Sequence, residues 1–391
     1  MGLGVIRALG RMGVPVVAVH YDPRDMGYTS RYVKVSLRAP HPEQHEEEFL
    51  DVLKEAAARY AGSVLFPVSD PALRVVSKHK PALSEHFAVA CAGWEITERL
   101  IDKQQTYALA GAAGVPVPRT VVPRCVEDVE RYGREFEYPC LVKPSWGHQY
   151  FEIFHTKMVE AGSFDELLAA YEQAAAAGQE VMLQELIPGD DTHVINYNSY
   201  FWEGEPLVEF TARQIRKAPP MFGSPCVAVS EVVPGAIEIG RQTLRALGFY
   251  GYSCTEVKLD PRDGVYKLME VNGRHNLSTL LAVSCGINYP WLHYRHLAYG
   301  EKPSQAPYRS GLYWIDLARD AAHSVRNYRR QRAGFIRRFV EPYVKPHVFA
   351  VLDLRDPRPF LTRLGHEIGG EQRAAPPGSA RTKDSTALRG A

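Results

Sequence analysis

At 391 residues, with 45% hydrophobic and 23% charged residues and a formal net charge of +1, the chain has the composition of a soluble globular protein of two or three domains. The near-neutral balance gives no global basic field and argues against nucleic acid as a partner. No apolar run approaches the roughly 20 residues of a membrane span, and the six cysteines, scattered without a CxxC pair, suggest neither zinc nor a disulfide framework and fit a reduced cytoplasmic setting.

Residues 1–98 alternate strand and helix signals, as in a small α/β domain on a parallel sheet. The stretch 1–9 reads as a glycine turn entering a helix, and 14–20 as a strand. A Rossmann-like unit has a strand before its glycine turn, so either Met1 is not the true start or the first strand has been lost. Residues 64–68 and 87–90 read as further strands. Ser69, Asp70 and Pro71 can cap the helix that follows. Asp70 can equally be a substrate group, because ligands bind at strand ends in α/β domains. A helix is predicted over 97–113, stopping at Gly114 before an extended Val-Pro-Val-Pro stretch.

Within 99–190, residues 140–144 form a strand carrying Lys143. Residues 145–157 read as a loop with one glycine, Gly147, and the aromatics Trp146, Tyr150, Phe151 and Phe154, expected to close over a nucleotide. His148 and His155 in this loop have no third partner at metal-ligand spacing. An alanine-rich helix over 164–177 stops at Gly178. A strand over 181–185 then runs into Ile187-Pro188-Gly189. The backbone of Gln184, Glu185, Leu186 and Ile187 can read a purine edge there, with Asp191 behind it for ribose hydroxyls.

Residues 191–318 contain strands around 194–200 and 207–211, a helix over 235–247, and a hairpin. Its turn is Asp260-Pro261-Arg262-Asp263-Gly264. Glu256 before the turn and Glu270 after it alternate with β-formers, which places them near each other on one face with Asn272 two residues on. Two carboxylates and an amide oxygen are hard ligands of the kind magnesium takes. Arg213 and Lys217 share a face of a regular strand and are assigned to phosphate or substrate. Residues 319–364 form a basic helical extension. Arg326, Arg329, Arg330, Arg332, Arg337 and Arg338 make either a solvated face or, over 319–345, a patch for an acidic partner or membrane surface. Residues 365–391 have the composition of a disordered tail.

Lysine strand, purine-reading hinge, and the Glu256 and Glu270-Val271-Asn272-Gly273-Arg274 pair occur in the order found in the ATP-grasp superfamily. Over roughly residues 60–300 the chain resembles its carboxylate-amine ligases, in the branch of D-aspartate ligase and carbamoyl-phosphate-synthase-like proteins. The resemblance implies an α/β and α+β architecture: a Rossmann-like N-terminal domain (1–98), a linker helix and central lid (99–190), and a C-terminal antiparallel-sheet domain with the metal site (191–318). It implies that Lys103 and Lys143 contact ATP and that Glu185 and Ile187 hold adenine, with Asp191 on the ribose. It further implies that Glu256, Glu270 and Asn272 carry two magnesium ions (manganese being the alternative), and that Arg274 stabilises an oxyanion. One departure is the lid loop, which is not glycine-rich; Lys157 then supplies charge where a nest of backbone amides would otherwise do so.

The implied reaction joins a carboxylate to an amine through an acylphosphate, releasing ADP and phosphate. The alternatives are activation of bicarbonate or carbamate, and nucleotide binding without catalysis. Small-molecule substrates and a homodimer are the expected partners.

Overall fold

Strand Val194–Trp202, whose first eight residues are all buried, is the axis of the molecule. In the computed structural model, which describes residues 1–145, 147–219, 221–328 and 335–371, it lies inside a seven-stranded sheet. The strand order is Tyr266–Asn272, Gly251–Leu259, Val194–Trp202, Glu205–Ala218, Ser224–Ser230, Tyr313–Ile315, His347–Phe349. All neighbours are antiparallel except the last pair. Burial on both faces follows from helices on both sides. Helix Pro234–Ala246 covers Tyr197, Phe201, Leu268 and Val271 on one face. On the other, Leu281, Ile287 and Tyr289 pack with Tyr200, Phe210 and Tyr252. Gly240 lets helix and sheet approach closely, since a Cβ there would overlap the Tyr197 ring.

A four-stranded antiparallel sheet, ordered Thr120–Val121, Val181–Glu185, Cys140–Pro144, Val159–Ala161, forms the lid and encloses its own core with helices Val126–Gly133 and Phe164–Ala176. The N-terminal region holds two parallel pairs, Val16–His20 with Val33–Arg38 and Val64–Leu65 with Ala88–Val89, after an opening helix Gly2–Gly10.

Four expectations change. The helix over 97–113 is two helices, Trp94–Ile101 and Lys103–Ala112, divided at Asp102. The Asp102 carboxylate accepts from the backbone N–H of Gln104 at 2.9 Å and starts the second helix itself. The lid loop contains a helix, Gly147–Phe154. Tyr150 is buried in the lid core with its ring tilted against Phe154, so these two rings pack within the lid; Phe151 stays exposed. The segment after 318 is no separate extension, because His347–Phe349 completes the large sheet and buried Asp356 joins Arg7 of the opening helix at 3.0 Å. Trp146, Arg329, Arg330, Arg332 and residues 372–391 lie outside the described residues, as do the side chains of His148, Arg326, Arg337 and Arg338.

Candidate active site

The hairpin forms about the predicted turn. Gly264 takes a left-handed φ of 73° in the turn, and Glu256 faces Glu270 directly across the strands, with Cys254 facing Asn272. A bulge then inserts Met269 between the Glu256–Glu270 and Val257–Leu268 pairs. The Met269 carbonyl accepts the Tyr107 hydroxyl proton at 2.6 Å, and the Tyr107 oxygen accepts from Lys143 Nζ at 3.0 Å. Lys143 Nζ also donates to Gln184 Oε1 at 3.2 Å. Strands Val181–Glu185 and Cys140–Pro144 and the hairpin are thereby tied through one buried ammonium.

Positive charge converges on Glu270. Burial alone would push its carboxyl up, but Lys103, Lys143, Arg274 and Lys157 outweigh it and hold the group below the usual carboxylate range. Burial alone would likewise lower Lys143, yet Tyr107, Glu270 and Glu256 outweigh it and keep the lysine charged. Four cations drawn from the linker helix, the lid and the C-terminal domain thus surround one carboxylate.

Strand Glu205–Ala218 departs from its predicted period. Ile215 is an extra residue in the ladder to Ser224–Ser230. Gln214 and Lys217, three apart, consequently both reach Glu256, at 2.8 Å and 3.4 Å. Arg213 is not on their face. It pairs with Glu231 at 2.6 Å and donates to the Thr192 carbonyl at 2.7 Å, apart from the cluster. Asp191 is also differently engaged: its carboxylate accepts from the backbone N–H of Lys217 at 2.8 Å and of Met221 at 3.0 Å, so it anchors that loop and is not a free ribose ligand.

The hinge has its own supports. The Glu185 side chain pairs with Arg262 at 3.0 Å and Lys267 at 3.2 Å. Lys258 Nζ donates to the Ile187 carbonyl at 2.7 Å. Arg274 makes a two-pronged pair with Asp70 at 2.5 and 2.6 Å, which brings these two predicted substrate residues together across the N- and C-terminal domains. Ser69 is the helix cap there, so Asp70 is left to this pair.

Tyr107, Gln214 and Lys258 escaped the sequence reading. Lys258 had a signal, since it follows Glu256 by two on the same strand. Tyr107 and Gln214 had none, because their roles come from the two bulges.

Among the described residues no group of three His, Cys, Asp or Glu side chains is placed to hold a metal ion. The candidate set is instead Glu256, Glu270 and Asn272. One or two carboxylates completed by phosphates and water is the usual magnesium arrangement. Gln214, whose Nε2 donates to Glu256, has its Oε1 buried without a hydrogen-bond partner among the described residues, a further acceptor on a side chain of this cluster. The donor set fits the ion.

No protein-family profile matches the chain. In sequence it is 27% identical over 259 residues to a D-aspartate ligase from Enterococcus faecium, covering 61% of this chain and 60% of that protein. In structure it is similar to the biotin carboxylase domain of a Hydrogenobacter thermophilus 2-oxoglutarate carboxylase (TM-score 0.63, 18% identity, 80% of this chain and 70% of that one). It is also similar to an L-amino acid ligase from Bacillus licheniformis (TM-score 0.59, 19% identity, 75% and 71%). The fold is ATP-grasp. The matched segment spans about 60% of the length of the D-aspartate ligase. No helix among the described residues is long and apolar enough to cross a membrane.

Proposed function

We propose that this chain is an ATP-dependent carboxylate-amine ligase. The observation that carries the proposal is the convergence of Lys103, Lys143, Lys157 and Arg274 on Glu270, directly opposite Glu256. A carboxylate oxygen is a poor leaving group, so amide formation needs activation. A substrate carboxylate oxygen attacks the γ-phosphorus of ATP, the bond to the bridging oxygen breaks, and ADP leaves. The amine nitrogen then attacks the acyl carbon, phosphate departs with the C–O electron pair, and the amine loses a proton.

The residues divide the work by position. Phosphoryl transfer asks mainly for alignment and charge neutralisation. Lys103, Lys143 and Lys157 supply fixed positive charge for the phosphates. Glu256, Glu270 and Asn272 hold magnesium, which neutralises phosphate charge when bound. The hinge at 184–187 presents backbone groups to the base, with the Ile187 carbonyl fixed by Lys258. Arg274, oriented by Asp70, stabilises charge on the acylphosphate and tetrahedral intermediate.

The test is a screen of ATP and magnesium against amino acids and small carboxylates, with ADP and AMP resolved. ADP formation that requires both a carboxylate and an amine supports the reading, and Glu270→Gln should lower it by roughly 100-fold or more. AMP and pyrophosphate as products would refute the acylphosphate route. A requirement for labelled bicarbonate would move the activity to carboxylation.

A further inference from the structure

A second cavity, of about 460 Å³, lies between helix Gly2–Gly10, the turn at Arg24 and Met26, and the C-terminal segment from Trp314 to His366. None of the nucleotide-site residues lines it. Its walls are of two kinds. Leu280, Trp314 and Val351 form an apolar side. Arg319 and Arg363 bring two guanidinium groups, and Asp316 one carboxylate, to the other, while Arg24, paired with Asp22 at 3.0 Å, stands exposed at the edge.

Asp316 organises this polar side. Its side chain is 7% exposed, accepts from Arg363 Nη1 at 2.8 Å, and lies 3.6 Å from Arg319 Nε. Two guanidinium groups are therefore held against one buried carboxylate at the cavity wall, while Arg319 stays 41% exposed. Planar donors fixed in this way match a ligand carboxylate. The volume lies within the range of small-molecule sites. Met1 joins the cavity to the reaction centre, because it lines the cavity and its Sδ lies 2.9 Å from Arg274 Nη1.

We propose that this cavity takes the amine substrate, a free α-amino acid with an apolar side chain. Its carboxylate sits at Arg319 and Arg363, and its side chain lies along Leu280, Trp314 and Val351. The assignment rests on the ligase reading for the role of the amino acid. Its carboxylate is engaged at Arg319 and Arg363 and not at Arg274, where the reacting carboxylate belongs, so this molecule serves as the nucleophile. Its neutral amine forms the new C–N bond as phosphate leaves with the C–O electron pair, and its proton passes to solvent.

Calorimetric titration of the full chain without ATP tests the cavity separately from catalysis. The probes are leucine in both configurations, 4-methylpentanoate, which lacks the amine, and leucinamide, which lacks the carboxylate. At least one leucine enantiomer and 4-methylpentanoate should bind roughly tenfold or more tightly than leucinamide. Arg319→Ala should weaken leucine binding by a similar factor and erase the preference over leucinamide. Arg363→Ala, which removes the other guanidinium group of the proposed site, is the second variant if Arg319→Ala fails to fold, and it should weaken binding in the same direction. Glu270→Gln should leave leucine binding unchanged. Equal affinity for leucine and leucinamide, or full leucine affinity in a folded Arg319→Ala protein, would overturn the assignment. Binding of the expected pattern with no ATP turnover would refute the ligase reading and leave the carboxylate-binding cavity standing.

Discussion

Replacing Asp356 with alanine probes how the C-terminal segment is held against the N-terminal helix. Asp356 and Arg7 are both fully buried, with Oδ2 accepting from Arg7 Nε at 3.0 Å. The same carboxylate accepts from Ser30 Oγ at 2.7 Å and from the backbone N–H of Arg31 at 2.8 Å. Truncation removes all three acceptor contacts and leaves a guanidinium ion in apolar surroundings. Arg7 Nη1 already lacks a partner among the described residues, and the backbone carbonyl of residue 356, 2.9 Å from Nη2, is the contact that survives. Exposure decides the magnitude. A surface pair contributes about 0–1 kcal/mol, whereas breaking a buried pair from one side costs about 3–5 kcal/mol. That is a large fraction of the roughly 5–15 kcal/mol by which folded proteins are stable. Urea unfolding followed by tryptophan fluorescence measures it. The paired variant Arg7→Met with Asp356→Leu should recover most of the loss, since an apolar replacement removes both buried charges. A folded Asp356→Ala protein within about 1 kcal/mol of wild type, or a paired variant as unstable as the single one, would refute the reasoning.

Three further outcomes are expected. His275 is buried against Tyr252 with neither ring nitrogen partnered among the described residues, and burial pushes it down to about 3. The folded state then holds it neutral, so its contribution is complete above the ordinary value of 6.5 and is lost as pH falls below that, by about 2 kcal/mol at pH 5. His275→Phe should flatten the stability profile between pH 6.5 and 5 without abolishing its slope, because buried His293 is also pushed down; an unchanged profile from thermal melts would exclude this. Gly240→Ala should lose about 1–3 kcal/mol by overpacking against Tyr197, despite alanine's better helix propensity; a rise in melting temperature would show that the helix shifts freely. Lys258→Met should raise the KM for ATP several-fold more than it lowers kcat, because it frees the Ile187 carbonyl at the hinge; an unchanged KM would remove Lys258 from the nucleotide site.

The hairpin carrying Glu256 and Glu270 was legible in the sequence because its turn is local. The turn with Gly264 at positive φ set the hairpin, and the extra residue Met269 then brought Glu270 opposite Glu256, where unbroken alternation from the turn would have put Met269. Strands Cys140–Pro144 and Val181–Glu185 were legible from their own apolar runs. Tertiary structure decided what breaks the period or spans the chain. The extra residue Ile215 sends Arg213 to Glu231 and brings Gln214 beside Lys217 on Glu256, while Met269 supplies the carbonyl that orients Tyr107 and Lys143. Asp191 is drawn to backbone N–H groups of a neighbouring strand, and Arg274 finds Asp70 204 positions away. Strand His347–Phe349 joins the large sheet, and Asp356 reaches Arg7 349 positions away. Alternation and turn chemistry act over a few residues and can be read directly, whereas bulges and buried ion pairs depend on which distant surface is nearby to take a freed carbonyl or charge.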